Sequence, residues 1–152
     1  MVCPFCMYEK TEVYNSRRTK KLNEVWRRRR CLRCERQFTT EEQARPEAII
    51  KVGIKGLPRS LPYSRTKLLL AIYRACDHRR NAVKSAEYLT LSIEQKLYVI
   101  AARQEHTVSK QDIIQIVLDT LRHYDASAYV KYLSYHQPDL DSRTLKAYLK
   151  QA

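Results

Sequence analysis

Four cysteines in two Cys-x-x-Cys pairs, Cys3 with Cys6 and Cys31 with Cys34, carry the most specific chemical signal in the chain. The pairs are separated by 24 residues. Two such knuckles bring four thiolates into tetrahedral reach, which suits one Zn2+ ion per chain and leaves no coordination position for water. The predicted site is therefore structural. A segment of about 45 residues buries too little apolar surface to be stable alone, so metal-binding energy becomes folding energy. A redox motif would place one Cys-x-x-Cys at a strand–helix junction, and ferredoxin clusters use other spacings. The fifth cysteine, Cys76, stands alone in an apolar helical pattern and is expected to be a small buried hydrophobe. An odd count without an export signal argues against a secreted disulfide framework.

The second chemical feature is cationic. The chain carries a formal charge of +13, and ten basic residues face two acidic ones between Arg17 and Arg36. That density points to a polyanion. A membrane surface fits less well, because this segment has no amphipathic helix with bulky apolar residues along one face. Arg27, Arg28, Arg29 and Arg30 lie directly before the second knuckle, on a predicted strand. Alternation sends Arg27 and Arg29 to one face and Arg28 and Arg30 to the other, so at most two meet one groove unless the strand twists or bulges. Zn2+ with four thiolates has a net charge of −2, which accounts for two compensating arginines but not for the whole excess. Phosphate contact with duplex DNA accounts for the rest, with Arg17 assisting and Thr39 and Thr40 able to donate hydroxyls.

The elements that must position these groups divide at Pro46. Before it, Thr11–Asn15, Glu24–Arg30 and Gln37–Thr40 carry strand formers between the knuckles. After it, a strand is expected over Ala48–Val52. Then comes a turn or hairpin region containing Gly53, Gly56, Pro58 and Pro62. From Ser64, the expected N-cap, the pattern is helical, with Leu68, Leu69, Ile72, Tyr73, Ala75 and Cys76 at helical spacing. A second helix is expected over roughly Ser85–Gln104. Ser109 and Asp112 resemble a capping box opening a third, with Ile113, Ile116, Val117, Leu121 and Tyr124 on its apolar face. Asp125 is expected to cap a fourth, which carries Tyr129, Tyr132 and Leu133, and a short last helix is expected over Ser142–Lys150. Eleven tyrosines accompany only two phenylalanines, and the group Tyr124, Tyr129, Tyr132 and Tyr135 suits either a core or a subunit interface. No apolar run approaches the ~20 residues that cross a bilayer and no signal-peptide pattern is present, so a soluble cytoplasmic protein is the expectation. There is no Walker A sequence, kinase loop set or paired catalytic carboxylates, and the chain is not expected to be an enzyme.

Cys-Pro-Phe-Cys at 3–6, Thr11, Val13, Asn15-Ser16-Arg17, the arginine run before Cys31 and Phe38-Thr39-Thr40 together resemble the NrdR family. These bacterial regulators repress ribonucleotide reductase genes and join a zinc ribbon to an ATP-cone. The C-terminal part is similar to the family as well, in Ile49-Ile50-Lys51, Lys67-Leu68, Leu121–Asp125 and Ala128–Tyr132. Asn15 stands where the family usually has aspartate, and the Lys51–Tyr63 connection is several residues longer than usual. The resemblance implies an α+β fold. A small β-rich zinc ribbon with four cysteine ligands (1–45) precedes a mainly helical ATP-cone-like domain with a short N-terminal β-hairpin (46–137), followed by a C-terminal helical tail (138–152). It also implies that Ile49, Lys51, Lys67 and Tyr129 line a pocket for ATP or dATP as effector, sensed and not hydrolysed. The cones are expected to self-associate in a nucleotide-dependent homo-oligomer on paired promoter sites in double-stranded DNA, at the nucleoid. The competing reading is a constitutive zinc-ribbon nucleic-acid-binding protein whose helical domain only mediates self-association.

Overall fold

The computed structural model describes residues 1–19 and 24–136. The chain divides into two compact units, Met1–Arg45 and Pro46–Ala152. The helix expected over Ser142–Lys150, and the tail that contains it, lie outside the described residues.

The first unit is one antiparallel sheet of three strands in the order β1-β2-β3, with β1 at Thr11–Thr19, β2 at Glu24–Cys31 and β3 at Gln37–Gln43. Both outer strands run past the strand-forming residues that predicted them. The central strand pairs from Glu24 to Arg30 on both sides, so ladder hydrogen bonds carry polar residues such as Arg18, Glu42 and Gln43 into extended backbone. Opposite residues in such a ladder share a face. The register thus sets Arg28 between Asn15 and Thr39, Arg27 between Ser16 and Thr40, and Arg29 between Val13 and Phe38. The regular alternation breaks once, at a bulge in β1 between Val13 and Asn15. Among the described residues of this unit, the fully buried apolar side chains are Cys3 and Cys31. The sheet has no aliphatic core of its own.

The second unit begins differently from expectation. The strand expected over Ala48–Val52 is instead a single helical turn, α1 (Pro46–Ile49), followed by β4 (Lys51–Gly53). Pro46 lacks an N–H and has its φ fixed, which suits a first helical position. Its carbonyl then accepts the Ile50 N–H at 2.8 Å, closing the turn. β4 pairs antiparallel with β5 (Leu61–Pro62), giving the short hairpin. It also pairs in parallel with β6 (Thr107–Ser109), a three-residue strand between helices that no sequence pattern indicated.

Four helices follow from their caps and apolar spacing: α2 (Arg65–Cys76), α3 (Ala82–Arg103), α4 (Lys110–Tyr124) and α5 (Ala126–His136). Ser64 Oγ accepts the Lys67 N–H at 3.4 Å, and Ser109 Oγ accepts the Asp112 N–H at 3.0 Å. Asp125 Oδ1 accepts the Ala128 N–H at 2.8 Å, so all three expected N-caps form. α3 starts three residues before the expected Ser85 and buries Ala86, Leu89, Ile93, Leu97 and Ala101 on one face. Those side chains meet Leu68, Ile72 and Cys76 of α2, Val117 and Leu121 of α4, and Leu133 of α5 in one core. Tyr73, expected on the apolar face of α2, points outward at 39 % exposure. Of the tyrosine group, Tyr129 and Tyr132 are buried in this core, whereas Tyr135 is exposed.

Candidate metal centre and nucleic-acid interface

The two knuckles are built alike. The carbonyl of each first cysteine accepts the N–H four residues on, Met7 to Cys3 at 3.0 Å and Glu35 to Cys31 at 3.1 Å. The N–H of each first cysteine donates to the carbonyl five residues on, Tyr8 at 2.8 Å and Arg36 at 3.1 Å. Met7 (φ 58°) and Glu35 (φ 55°) take the left-handed conformation that turns the chain back under the sulfurs. Amide N–H groups of Phe5, Arg33 and Cys34 point at the Sγ atoms of Cys3 and Cys31, at 3.3–3.5 Å.

The four Sγ atoms lie within 4.8 Å of one another, with Cys3–Cys34 at 3.7 Å and Cys6–Cys31 at 3.6 Å. Tetrahedral Zn–S bonds of about 2.3 Å require sulfurs about 3.8 Å apart. The cluster therefore fits a Zn2+ ion, held by Cys3, Cys6, Cys31 and Cys34, which would supply a fixed crosslink. Electrostatics also favour a cation there. Burial opposes ionisation of Cys31, but the N–H groups of Cys34 and Arg33 and the thiols of Cys6 and Cys34 outweigh it, bringing its pKa down to about 6. At Cys6 the Tyr8 backbone favours the thiolate, yet burial and the thiols of Cys34, Cys31 and Cys3 push the pKa up to about 12. Four thiolates crowd one another until a dication compensates them.

The arginine run divides between the sheet faces as alternation requires. Arg27 and Arg29 lie half-buried on the face of Val13, Phe38 and Thr40. Arg27 Nη2 pairs with Glu42 Oε2 at 2.7 Å, and Arg29 Nη1 donates to Thr11 Oγ1 at 3.3 Å. Their Nε atoms are buried without acceptors. On the other face Arg30 is held by Glu12 Oε1 at 2.6 and 2.9 Å. Arg28 is exposed, lies over the Trp26 ring at 5.8 Å, and has no carboxylate partner among the described residues. Arg17, opposite Trp26, is exposed on the same face, as is Thr39 opposite Arg28; Thr40 instead donates to the Arg27 carbonyl at 3.5 Å. Of the seven residues singled out in the sequence, this sheet brings Arg17, Arg28, Arg30 and Thr39 together and turns Arg27, Arg29 and Thr40 away.

The residues assigned to nucleotide by resemblance differ in exposure. Tyr129 is buried at 5 % exposure, Ile49 is half-buried at the end of α1, and Lys51 is exposed on β4. Lys67, in the first turn of α2, lines a cavity of about 300 Å³ that contains none of the other three. Its other lysine is Lys110, and Val52, Tyr63, Tyr132 and His136 are among the residues that complete its wall. Lys110 and Tyr132 escaped the sequence reading because they meet Lys67 only through packing, although a lysine directly after an N-cap was visible. Burial pushes the Tyr132 phenol above its ordinary range and the His136 imidazole below its own, and Lys110 adds to the His136 shift.

A four-thiolate β-ribbon followed by a β-hairpin and four helices defines a zinc-ribbon protein carrying an ATP-cone. Residues 1–42 match the family model for the transcriptional repressor NrdR-like N-terminal domain, and residues 54–138 match that for the ATP cone domain. The chain is 35% identical over 150 residues to the transcriptional repressor NrdR of Syntrophotalea carbinolica, covering 99% of this chain and 92% of the relative. It is 34% identical to that of Lachnoclostridium phytofermentans (99% and 95% covered) and 36% identical to that of Desulfitobacterium hafniense (90% and 86% covered). The chain belongs to the NrdR family of transcriptional repressors. Among the described residues, no helix is long and apolar enough to cross a membrane.

Proposed function

We propose that this chain is a cytoplasmic, nucleotide-responsive repressor that binds duplex DNA upstream of ribonucleotide reductase genes through the zinc-ordered ribbon. ATP or dATP acts through the cone by changing how copies of the chain associate. The observation that carries this reading is the joining of an arginine-dense sheet, ordered by a four-thiolate centre, to a cone with its own cationic cavity. The exposed arginines supply salt-sensitive phosphate contacts. Lys67 and Lys110 offer point charges to nucleotide phosphates, and the partly apolar wall suits a base. Of the four residues assigned by resemblance, Lys67 is the one on which the cavity and the family pattern agree. Effector binding shifts an equilibrium between assemblies that space the ribbons differently, and paired DNA sites select one of them.

Native mass spectrometry of the zinc-loaded protein with ATP and then dATP tests the reading. One zinc per chain, bound nucleotide and a nucleotide-dependent change in oligomer are expected, with Lys67→Ala weakening nucleotide binding about tenfold, an ordinary loss for one charge-assisted contact. Duplex from the organism's own ribonucleotide reductase promoter is expected to bind in only one nucleotide state. Equal DNA binding in all nucleotide states would favour a constitutive nucleic-acid-binding ribbon.

A further inference from the structure

The faces of the ribbon differ in what their polar groups are free to do. On the face of Arg27 and Arg29, the guanidiniums are half-buried and engaged with Glu42 and Thr11. On the opposite face the central row runs Asn15, Arg28, Thr39 across the three strands. Arg28 there has no carboxylate partner among the described residues, whereas Arg30 one row away is neutralised by Glu12. The β1 bulge creates this row. Without the extra residue, Tyr14 would stand opposite Arg28. With it, Asn15 takes that place, and Tyr14 donates its hydroxyl to Gln37 Oε1 at 2.6 Å. Bulges commonly re-aim a side chain in this way.

We infer that Arg28 and Asn15 are the base-reading residues of this ribbon, and that Arg27 and Arg29 serve its structure. The inference rests on the DNA-binding reading above. Three strands about 4.8 Å apart place the row across roughly 10 Å, within a major groove about 12 Å wide. Arg28 lies with its guanidinium carbon 5.8 Å from the Trp26 ring centroid, within cation–π range, and is exposed, so its N–H fork is available to a ligand. A fork of that kind matches guanine O6 and N7, and a neighbouring side-chain amide matches adenine N6 and N7. The ligand is therefore a duplex with a guanine and an adenine at adjoining steps. Arg17, one row away and exposed, contacts the phosphate backbone and reads no base.

Binding-site selection from a randomised duplex library, with the zinc-loaded full-length protein, tests this. Wild type is expected to enrich guanine at one position and adenine beside it. Arg28→Lys keeps the charge and loses the fork. It is expected to keep the salt dependence of binding while lowering discrimination at the guanine position tenfold or more. Asn15→Asp, which can only accept hydrogen bonds, is expected to lose the adenine preference and leave the guanine one. Arg17→Ala is expected to reduce the salt slope by about one with the selected sequence unchanged. One zinc per chain, as in the wild type, shows that each variant is folded, because the ribbon's four thiolates hold the metal only when the two knuckles come together. Selection of the wild-type sequence by both Arg28→Lys and Asn15→Asp would overturn the row assignment with DNA binding intact. Failure of the wild-type protein to bind any duplex, with the selection run without nucleotide, with ATP and with dATP, would instead bring down the DNA-binding reading itself.

Discussion

Removing the metal should unfold the first unit and spare the second. The ribbon's fully buried apolar side chains, among the described residues, are two of the ligands themselves, Cys3 and Cys31. Every other described side chain of the sheet is exposed or half-buried, so little apolar area leaves water on folding. A structural Zn2+ contributes roughly 10–16 kcal/mol at neutral pH, as much as the whole stability of an ordinary domain at about 5–15 kcal/mol. Nothing else in the ribbon can replace that contribution, and its metal-free form is expected to be unfolded. The second unit holds the core of Ile72, Ile93, Leu97, Leu121 and Leu133 and no thiolate cluster among its described residues. The assay is direct because the one tryptophan of the chain, Trp26, lies on β2, while the described helices all lie in the second unit. Titration with a strong zinc chelator should shift Trp26 emission to that of a solvent-exposed indole and abolish DNA binding. The helical circular-dichroism signal should remain, and returning zinc should restore the ribbon. Unaltered Trp26 emission and DNA binding, with zinc shown by elemental analysis to be gone, would falsify the claim that metal binding is the folding energy of this unit.

Four further outcomes are expected in the second unit. Leu97→Ala empties a fully buried position on α3 and should cost about 2–5 kcal/mol, lowering the thermal midpoint of the helical signal by about 8 °C or more without altering zinc content. Asp125 accepts the Ala128 N–H, and also binds His78 at 3.2 Å and Arg79; Asp125→Ala should cost about 1–2 kcal/mol from the lost cap alone. The Ala128 N–H first, and then Arg79 and His78, hold the Asp125 carboxyl below its ordinary range. Its stabilisation is therefore present above the unfolded value, near pH 3.9, and is lost as pH falls through the lower folded value; denaturant titrations of Asp125→Asn should lack that acid-side loss. Glu94 is shifted the other way. Burial raises its carboxyl pKa, and Arg65 at 3.5 Å and the Tyr63 hydroxyl at 3.0 Å only partly offset it. Stability linked to Glu94 is thus greatest below the ordinary carboxylate value and declines as pH rises through the raised folded value. Glu94→Gln should remove that decline, and a wild-type slope in the variant would show that another group titrates there.

Much of this molecule was legible because the determinants are local. Cysteine spacing specifies tetrahedral ligands wherever a knuckle folds, and the sulfur geometry agrees with that spacing. Ser64, Ser109 and Asp125 cap helices through contacts three residues away, within the range of sequence reasoning. The strand expected at Ala48–Val52 begins only at Lys51, because Pro46 opens a helical turn that the apolar residues do not announce. β6 was invisible because three residues carry no period, and its parallel pairing with β4 joins positions more than fifty residues apart in sequence. By itself the sequence determined the four-cysteine cluster, the caps at Ser64, Ser109 and Asp125, the family and the excess of positive charge in the ribbon. The tertiary structure alone decided which arginines are available, because that depends on a one-residue bulge and on where Glu12 and Glu42 fall in the register. It likewise decided that Lys67 lines one cavity with Lys110 and Tyr132 while Tyr129 packs into the core. Sequence carries what neighbours along the chain can enforce; a shared face or a cavity exists only after distant strands and helices have chosen their register.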